Sequence, residues 1–118
     1  VKSRIRSMQM EMAQRRMMEA IPTADVVISN PTHFAIAIRF DAAAMAAPQV
    51  VAKGADLIAQ RIREIAGEHD VPLVENKPLA RALFRSTDIG DFIPAELYRA
   101  VAEVLAYVYR LKGIRHPV

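Results

Sequence analysis

Two β-branched, apolar runs separated by four residues constrain this chain more than any other feature. Asp25-Val26-Val27-Ile28-Ser29 is short and bounded by turn residues, and Phe34-Ala35-Ile36-Ala37-Ile38-Arg39-Phe40 alternates large and small side chains with period two. Both read as strands. The intervening Asn30-Pro31-Thr32-His33 is short enough for a hairpin-type connection, so the two strands are expected to be antiparallel neighbours with the tetrapeptide at the loop tip.

Upstream, residues 1–20 contain no Pro or Gly, and Ile5, Met8, Met12 and Arg15 recur at helical spacing among strong helix formers. Ile21-Pro22-Thr23 ends this helix, because the Pro22 ring disfavours helical geometry in the residue before it and removes a donor. After a connector from Ala42 to Pro48, the spacing of Val51, Ala55, Ile58, Ile62 and Ile65 predicts an amphipathic helix that stops at Gly67. Val71-Pro72-Leu73-Val74-Glu75 reads as a third strand, with Pro72 placing it at an edge or a strand start and a parallel partner reached through that helix. Leu79 to Arg85 reads as a short helix opening after Pro78, and Gly90 to Pro94 as a turn. Leu97, Val101, Val104, Leu105, Val108 and Leu111 form the stripe of a long final helix, and the last residues read as a frayed tail. The expected fold is α/β: a small mixed β-sheet surrounded by helices, with an N-terminal helical linker over 1–20, a domain over 21–113 and a tail over 114–118.

Composition narrows the chemistry. The chain has 118 residues, 20 of them Ala, and aromatics make up only 6%, so the core is aliphatic and no broad base-stacking surface is available. The absence of Cys excludes a disulfide scaffold, a thiolate zinc site and a cysteine nucleophile. His33, His69 and His116 are scattered without ligand spacing; His69 in Glu68-His69-Asp70 reads as a solvated loop residue, and no cofactor is called for. No window reaches the run of about 18 apolar residues that a spanning helix requires, and no signal-peptide pattern is present. Because the chain starts at Val1 within an apparent helix, it is expected to be a domain from a longer protein. The first 20 residues carry five bases against two acids, a net +3, while the other 98 carry eleven of each, so the basic excess belongs to the N-terminal arm. Such an arm suits a solvated extension or an anionic membrane surface better than a nucleic acid, since no aromatic interleaves with the bases.

On residue types alone the tetrapeptide reads either as an ordinary Asn-Pro turn with an incidental His or as the seat of a chemistry of its own. Asparagine has two intramolecular reactions, and the residue after it selects between them. Deamidation needs the next backbone N–H as nucleophile, and Pro31 has none. What remains is attack by the Asn30 carboxamide nitrogen on its own main-chain carbonyl, which closes a succinimide and expels the Pro31 nitrogen. An amide nitrogen is a poor nucleophile and an amine a poor leaving group, so the reaction requires a turn that aligns the groups, plus proton transfers. An imidazole exchanges protons near neutral pH, so His33 is the candidate proton carrier, and Thr32 is expected to hydrogen-bond the tetrahedral intermediate through its hydroxyl or backbone N–H.

The tetrapeptide between these two strands resembles the signature of the FlhB/YscU family, the autocleaving export-switch proteins of type III secretion. The likeness extends over nearly the whole chain: Ala13 to Met18, Ala47-Pro48, Val50 to Ala55, Pro78 to Leu83, and Ile93-Pro94 followed by Leu97-Tyr98 and Ala100 to Ala106 all resemble the flagellar branch in order and spacing. The resemblance implies the cytoplasmic domain of a bacterial inner-membrane protein, joined to its membrane helices through 1–20. It further implies cleavage between Asn30 and Pro31, two associated pieces, and a change of export from rod and hook subunits to filament-type subunits. The implied partners are those export substrates, the other export-gate cytoplasmic domain and the hook-length control protein, with no nucleic acid. It implicates an exposed apolar docking surface, for which Ala47, Pro48, Ala102 and Leu105 are the candidates. An injectisome-type switch protein is the nearest alternative and a basic-arm nucleic-acid-binding module a more remote one. A conventional hydrolase lacks a paired carboxylate motif, nucleophile elbow or phosphate loop. The reaction consumes one peptide bond per molecule and is self-processing rather than enzymatic turnover.

Overall fold

The two runs that flank the tetrapeptide pair with each other. In the computed structural model, which describes residues 2–113, strand β1 (Val26–Asn30) lies antiparallel to β2 (Phe34–Arg39), with Val26 opposite Ile38, Ile28 opposite Ile36 and Asn30 opposite Phe34. Asn30 is thus the last residue of β1, and only Pro31, Thr32 and His33 form the turn. With β3 (Gln49–Ala55) and β4 (Leu73–Glu75) the sheet has the order β3-β2-β1-β4. β3 joins β2 antiparallel and β4 joins β1 parallel, so the sheet is mixed.

Helix α1 (Lys2–Ala20) precedes a short 3-10 turn at Ile21–Thr23, α2 (Asp56–Glu68) follows β3 directly, and α3 (Lys77–Ser86) and α4 (Ala95–Leu111) complete the chain. Period two in the strands sorts the side chains between two cores. Val26, Ile28, Ile36, Ile38 and Val50 meet Leu83 of α3 and Val101, Leu105 and Val108 of α4 on one face. Val27, Ala35, Ala37 and Ala52 meet Ile62 and Ile65 of α2 and Met17 of α1 on the other. The alternation of β2 therefore has a packing reason: its large residues fill one core, and its alanines let α2 settle closely on the opposite face. Each Ile, Leu or Val removed from water in this way contributes about 1.5–3 kcal/mol before entropy is counted.

The helix expected from Val51 onward is in its first part a strand. Val50, Ala52 and Gly54 are buried and their neighbours are not, which is the period of a strand, and the helical repeat operates only from Ile58 onward. Val51 is an extra residue at a register shift opposite Ala37/Ile38, which disguised the alternation. Helix and strand meet without a loop because Gly54 carries no side chain: a Cβ there would stand 2.2 Å from Ile58 Cγ2. Nor does the helix stop at Gly67. It continues to Glu68, His69 caps it, and Asp70 takes the left-handed backbone at φ 57°.

Pro72 stands just before β4, where its carbonyl accepts from the Val27 N–H at 2.9 Å. The short helix opens earlier than the apolar pattern, at Lys77, because the Asn76 side chain caps it by accepting from the Leu79 N–H at 3.2 Å. Of the final helical stripe, Val101, Val104, Leu105 and Val108 are buried and Leu111 is 66% exposed. In α1 the expected stripe of Ile5, Met8 and Met12 is exposed, and Met17 is the residue of this helix that reaches the core. The tail expected over 114–118 lies outside the described residues. Among the described residues no helix is long and apolar enough to cross a membrane.

Candidate functional site

Asn30 sits at the tip of the hairpin but not in the open. As the end of β1 it is bracketed by two neighbouring elements: Phe34 of β2 lies opposite it, and the preceding Ser29 carbonyl accepts from the Asn76 N–H at 2.9 Å, at the entrance to α3. Asn30 is only 5% exposed, whereas Pro31 is half-buried and Thr32 and His33 are exposed. The Asn30 side chain is thereby buried, while Thr32 and His33 stay open to water.

The turn is closed by one main-chain bond, from the His33 N–H to the Asn30 carbonyl oxygen at 2.8 Å. That carbonyl belongs to the Asn30–Pro31 peptide bond. Thr32 is expected from the sequence to hydrogen-bond the tetrahedral intermediate; in the structure the bond to the Asn30 carbonyl comes from the main chain of His33, and Thr32 stands exposed at the tip. His33 is itself held on its other side, because its carbonyl accepts from the Asp56 N–H at 3.0 Å, where α2 begins. The His33 ring leans on Phe34, with centroids 6.4 Å apart and planes at 54°.

Phe34 in turn is fixed. Its ring stacks on Phe84 of α3 at 4.4 Å and 25°. The Lys53 ammonium lies 4.8 Å from the Phe84 ring centroid and donates to the Phe84 carbonyl at 2.9 Å and to the Thr87 carbonyl, tying β3 to the end of α3. Lys53 also pairs with Asp88 at 3.7 Å, but Asp88 is 92% exposed, so that pair adds little. Neither Lys53, Phe84, Asn76 nor Asp56 was legible as part of the site. Asp56 had one signal: an Asp directly after a strand tolerates left-handed backbone.

At the opposite end of the hairpin an open cleft is lined by Thr23, Asp25, Arg39, Phe40, Asp41 and Tyr109. Burial pushes the Asp25 carboxyl above its ordinary range, against the lowering effect of the Phe40 N–H, which donates to it at 2.7 Å. This acid pins the base of the hairpin and stands far from the tetrapeptide. Among the described residues no group of three or more His, Cys, Asp or Glu is placed to hold a metal ion.

The docking candidates do not all reach the surface. Leu105 is 2% exposed and packs in the core with Val50 and Ile93. Pro48 is buried too, its carbonyl accepting from the Ile93 N–H at 2.9 Å. Both are corrected to core positions, because the α4 stripe faces the sheet and the connector is drawn in at its last residue. Ala47 and Ala102 remain half-buried.

Comparison with known proteins places this arrangement. Residues 1–108 match the FlhB HrpN YscU SpaS family. The flagellar biosynthetic protein FlhB of Salmonella typhimurium is 61% identical over 115 residues, covering 98% of this chain and 30% of that protein. The Bacillus subtilis protein of the same name is 54% identical over 112 residues, covering 95% of this chain and 31% of its own length. The chain thus spans about three tenths of the curated relatives it matches. The crystal structure of the cytoplasmic domain of FlhB from Shewanella putrefaciens superimposes with a TM-score of 0.79 at 45% identity, over 89% of this chain and 84% of that one. A mutated EscU C-terminal domain does so with a TM-score of 0.75 at 28% identity, over 78% and 92% respectively. Fold and sequence agree, and the chain belongs to the FlhB HrpN YscU SpaS family.

Proposed function

We propose that this chain cuts itself between Asn30 and Pro31 and that the cut controls which substrates a flagellar type III export apparatus accepts. The observation that carries the reading is the His33 N–H on the Asn30 carbonyl oxygen at 2.8 Å. The carboxamide nitrogen of Asn30 attacks its own main-chain carbonyl carbon, and the oxygen takes up negative charge where that N–H already points. One proton leaves the attacking nitrogen and one reaches the Pro31 nitrogen, with the exposed His33 imidazole as carrier. The C–N bond then breaks. The first piece ends in a succinimide at residue 30, which water opens, and the second begins with the secondary amine of Pro31. Because Pro31 offers no N–H, the competing deamidation has no nucleophile.

The cut does not demand unfolding. β1 is bonded on one side by β2 and on the other by β4, and Val26, Val27 and Ile28 are 0% exposed. What changes is the freedom of the two new ends, next to a surface that partners read. The identities of 61% and 54% to flagellar biosynthetic proteins support the flagellar over the injectisome-type reading. In that setting the basic, exposed α1 links the domain to a membrane part at the cytoplasmic face of the inner membrane, and rod, hook and filament-type subunits, the other export-gate domain and the hook-length control protein are its partners. Ala47 and Ala102 are the accessible members of the docking surface. The test is export by cells whose full-length protein carries Asn30→Ala: hook-type subunits continue to be exported and filament-type subunits do not. Unchanged filament export would overturn the switch.

A further inference from the structure

We infer that Asp56 is a positioning residue for the cut, acting through its main chain rather than its carboxylate; this rests on the reading that the chain cleaves at Asn30. His33 is held at both of its peptide groups. Its N–H donates to the Asn30 carbonyl at 2.8 Å, and its own carbonyl accepts from the Asp56 N–H at 3.0 Å. Of these two bonds the first touches the scissile peptide, and the second fixes the residue that makes the first.

The Asp56 N–H is available for a reason of helix construction. The first N–H groups of a helix have no carbonyl within it to bond, and Asp56 is the first residue of α2. β3 passes into α2 with no loop, so the chain must turn a corner in one residue, and Asp56 does so at φ +51°. A side chain at that φ is disfavoured by contact with the backbone, least for Asp and Asn and most for β-branched residues. The corner also needs Gly54, since a Cβ there would collide with Ile58 of the first turn of α2. Gly54 lets the helix fold back, Ala55 pairs with Phe34, and Asp56 aims its N–H at the turn. The Asp56 N–H, in the peptide group that joins the end of β3 to the left-handed corner, thus holds His33 and through it the donor on the Asn30 carbonyl.

The carboxylate is not part of this. Asp56 is exposed, and its bond to the turn is made by its main chain. Backbone and side chain are therefore separable by substitution, which they would not be if the charge acted.

The experiment follows cell-free synthesis of the chain, quenching samples in denaturant and weighing intact chain and fragments by mass spectrometry. Asp56→Gly and Asp56→Asn should cut at the wild-type rate, because both accept left-handed backbone and keep the N–H. Asp56→Val should cut about tenfold more slowly or worse, as expected when a donor is misplaced. Thermal unfolding of each variant in an Asn30→Ala background establishes that it folds; if Asp56→Val does not, Asp56→Ala takes its place, with a slowing of several-fold. Val108→Ala, which weakens the core away from the turn, serves as the control for lost stability. A folded Asp56→Val that cuts as fast as wild type overturns the inference, as does a slow Asp56→Asn, or a Val108→Ala equally slow at matched stability. A wild-type chain that never cuts would instead overturn the proposed function itself.

Discussion

The main-chain N–H of His33 points at the carbonyl oxygen of Asn30 from 2.8 Å, across a turn of three residues. In an ordinary hairpin such a bond merely closes the turn. Here the carbonyl belongs to an Asn-Pro bond, and the same donor is placed where charge collects when the Asn30 side chain attacks. On the proposed reaction, the hydrogen bond that shapes the loop is also the one that would lower its barrier to cleavage.

The two pieces should remain one particle. β1 contributes buried residues to both cores and is bonded on both edges, so the piece ending at Asn30 has no route out short of unfolding. Size-exclusion chromatography under native conditions should give a single peak containing both pieces, and strong denaturant should release them. Two native peaks would contradict the packing described.

Gly54→Ala should destabilise the domain by about 1–3 kcal/mol, the usual cost of overpacking. The added Cβ meets Ile58 Cγ2 at 2.2 Å and Ile58 Cβ at 2.8 Å. Ile58→Ala in the same chain removes the first of these contacts and keeps the second, so it should restore part of the loss. Urea unfolding of the two single variants and the double variant checks this.

The aromatic stack behind the turn should be measurable as well. Phe84→Ala removes the ring on which Phe34 stacks and over which the Lys53 ammonium lies. As Phe84 is only half-buried, the cost should be about 2 kcal/mol, below that of a full core Phe. Phe84→Leu, which keeps apolar volume without the ring face, should lose less in the same urea titration.

Asp25 gives the fold a pH dependence of defined sign. Burial raises its carboxyl above the ordinary 3.8, so the folded chain holds this proton more tightly than the unfolded one. The stability it contributes is present below the ordinary carboxylate value and is lost as pH rises through the raised folded value. Asp25→Asn keeps an acceptor for the Phe40 N–H and cannot titrate. The stability of wild type relative to Asp25→Asn should therefore fall as pH is raised from about 4 toward neutrality, then level off. A difference that grows with pH would reverse the assignment.

Much of the fold was legible where one period ran without interruption. β1 and β2 are rich in β-branched residues and bounded by turn residues, and α4 repeats at helical spacing over several turns. β3 was hidden because Val51, Ala55 and Ile58 mimic helical spacing while a register shift at Val51 breaks the alternation of Val50, Ala52 and Gly54. Asn30 and Pro31 could be singled out from covalent chemistry together with the resemblance of the tetrapeptide and its flanking strands to the FlhB/YscU signature, since a following residue without N–H leaves Asn only the reaction that cuts the chain. The groups that position them could not. Which N–H faces the Asn30 carbonyl depends on turn geometry, and the corner at Asp56 depends on α2 folding back over Gly54, neither of which has a local pattern. Leu105 stood both in the apolar stripe of the final helix and among the candidates for the docking surface that the resemblance implies, and only the packing of α4 on the sheet decides for the core.

The most direct measurement is a denaturing mass spectrum of the purified chain beside Asn30→Ala. The wild type should give two species, one ending at Asn30 and one starting at Pro31, with the first partly one water lighter where the succinimide survives. Asn30→Ala should give a single intact chain of the same fold. One intact species in both, or a cut that persists in Asn30→Ala, would contradict cleavage by Asn30.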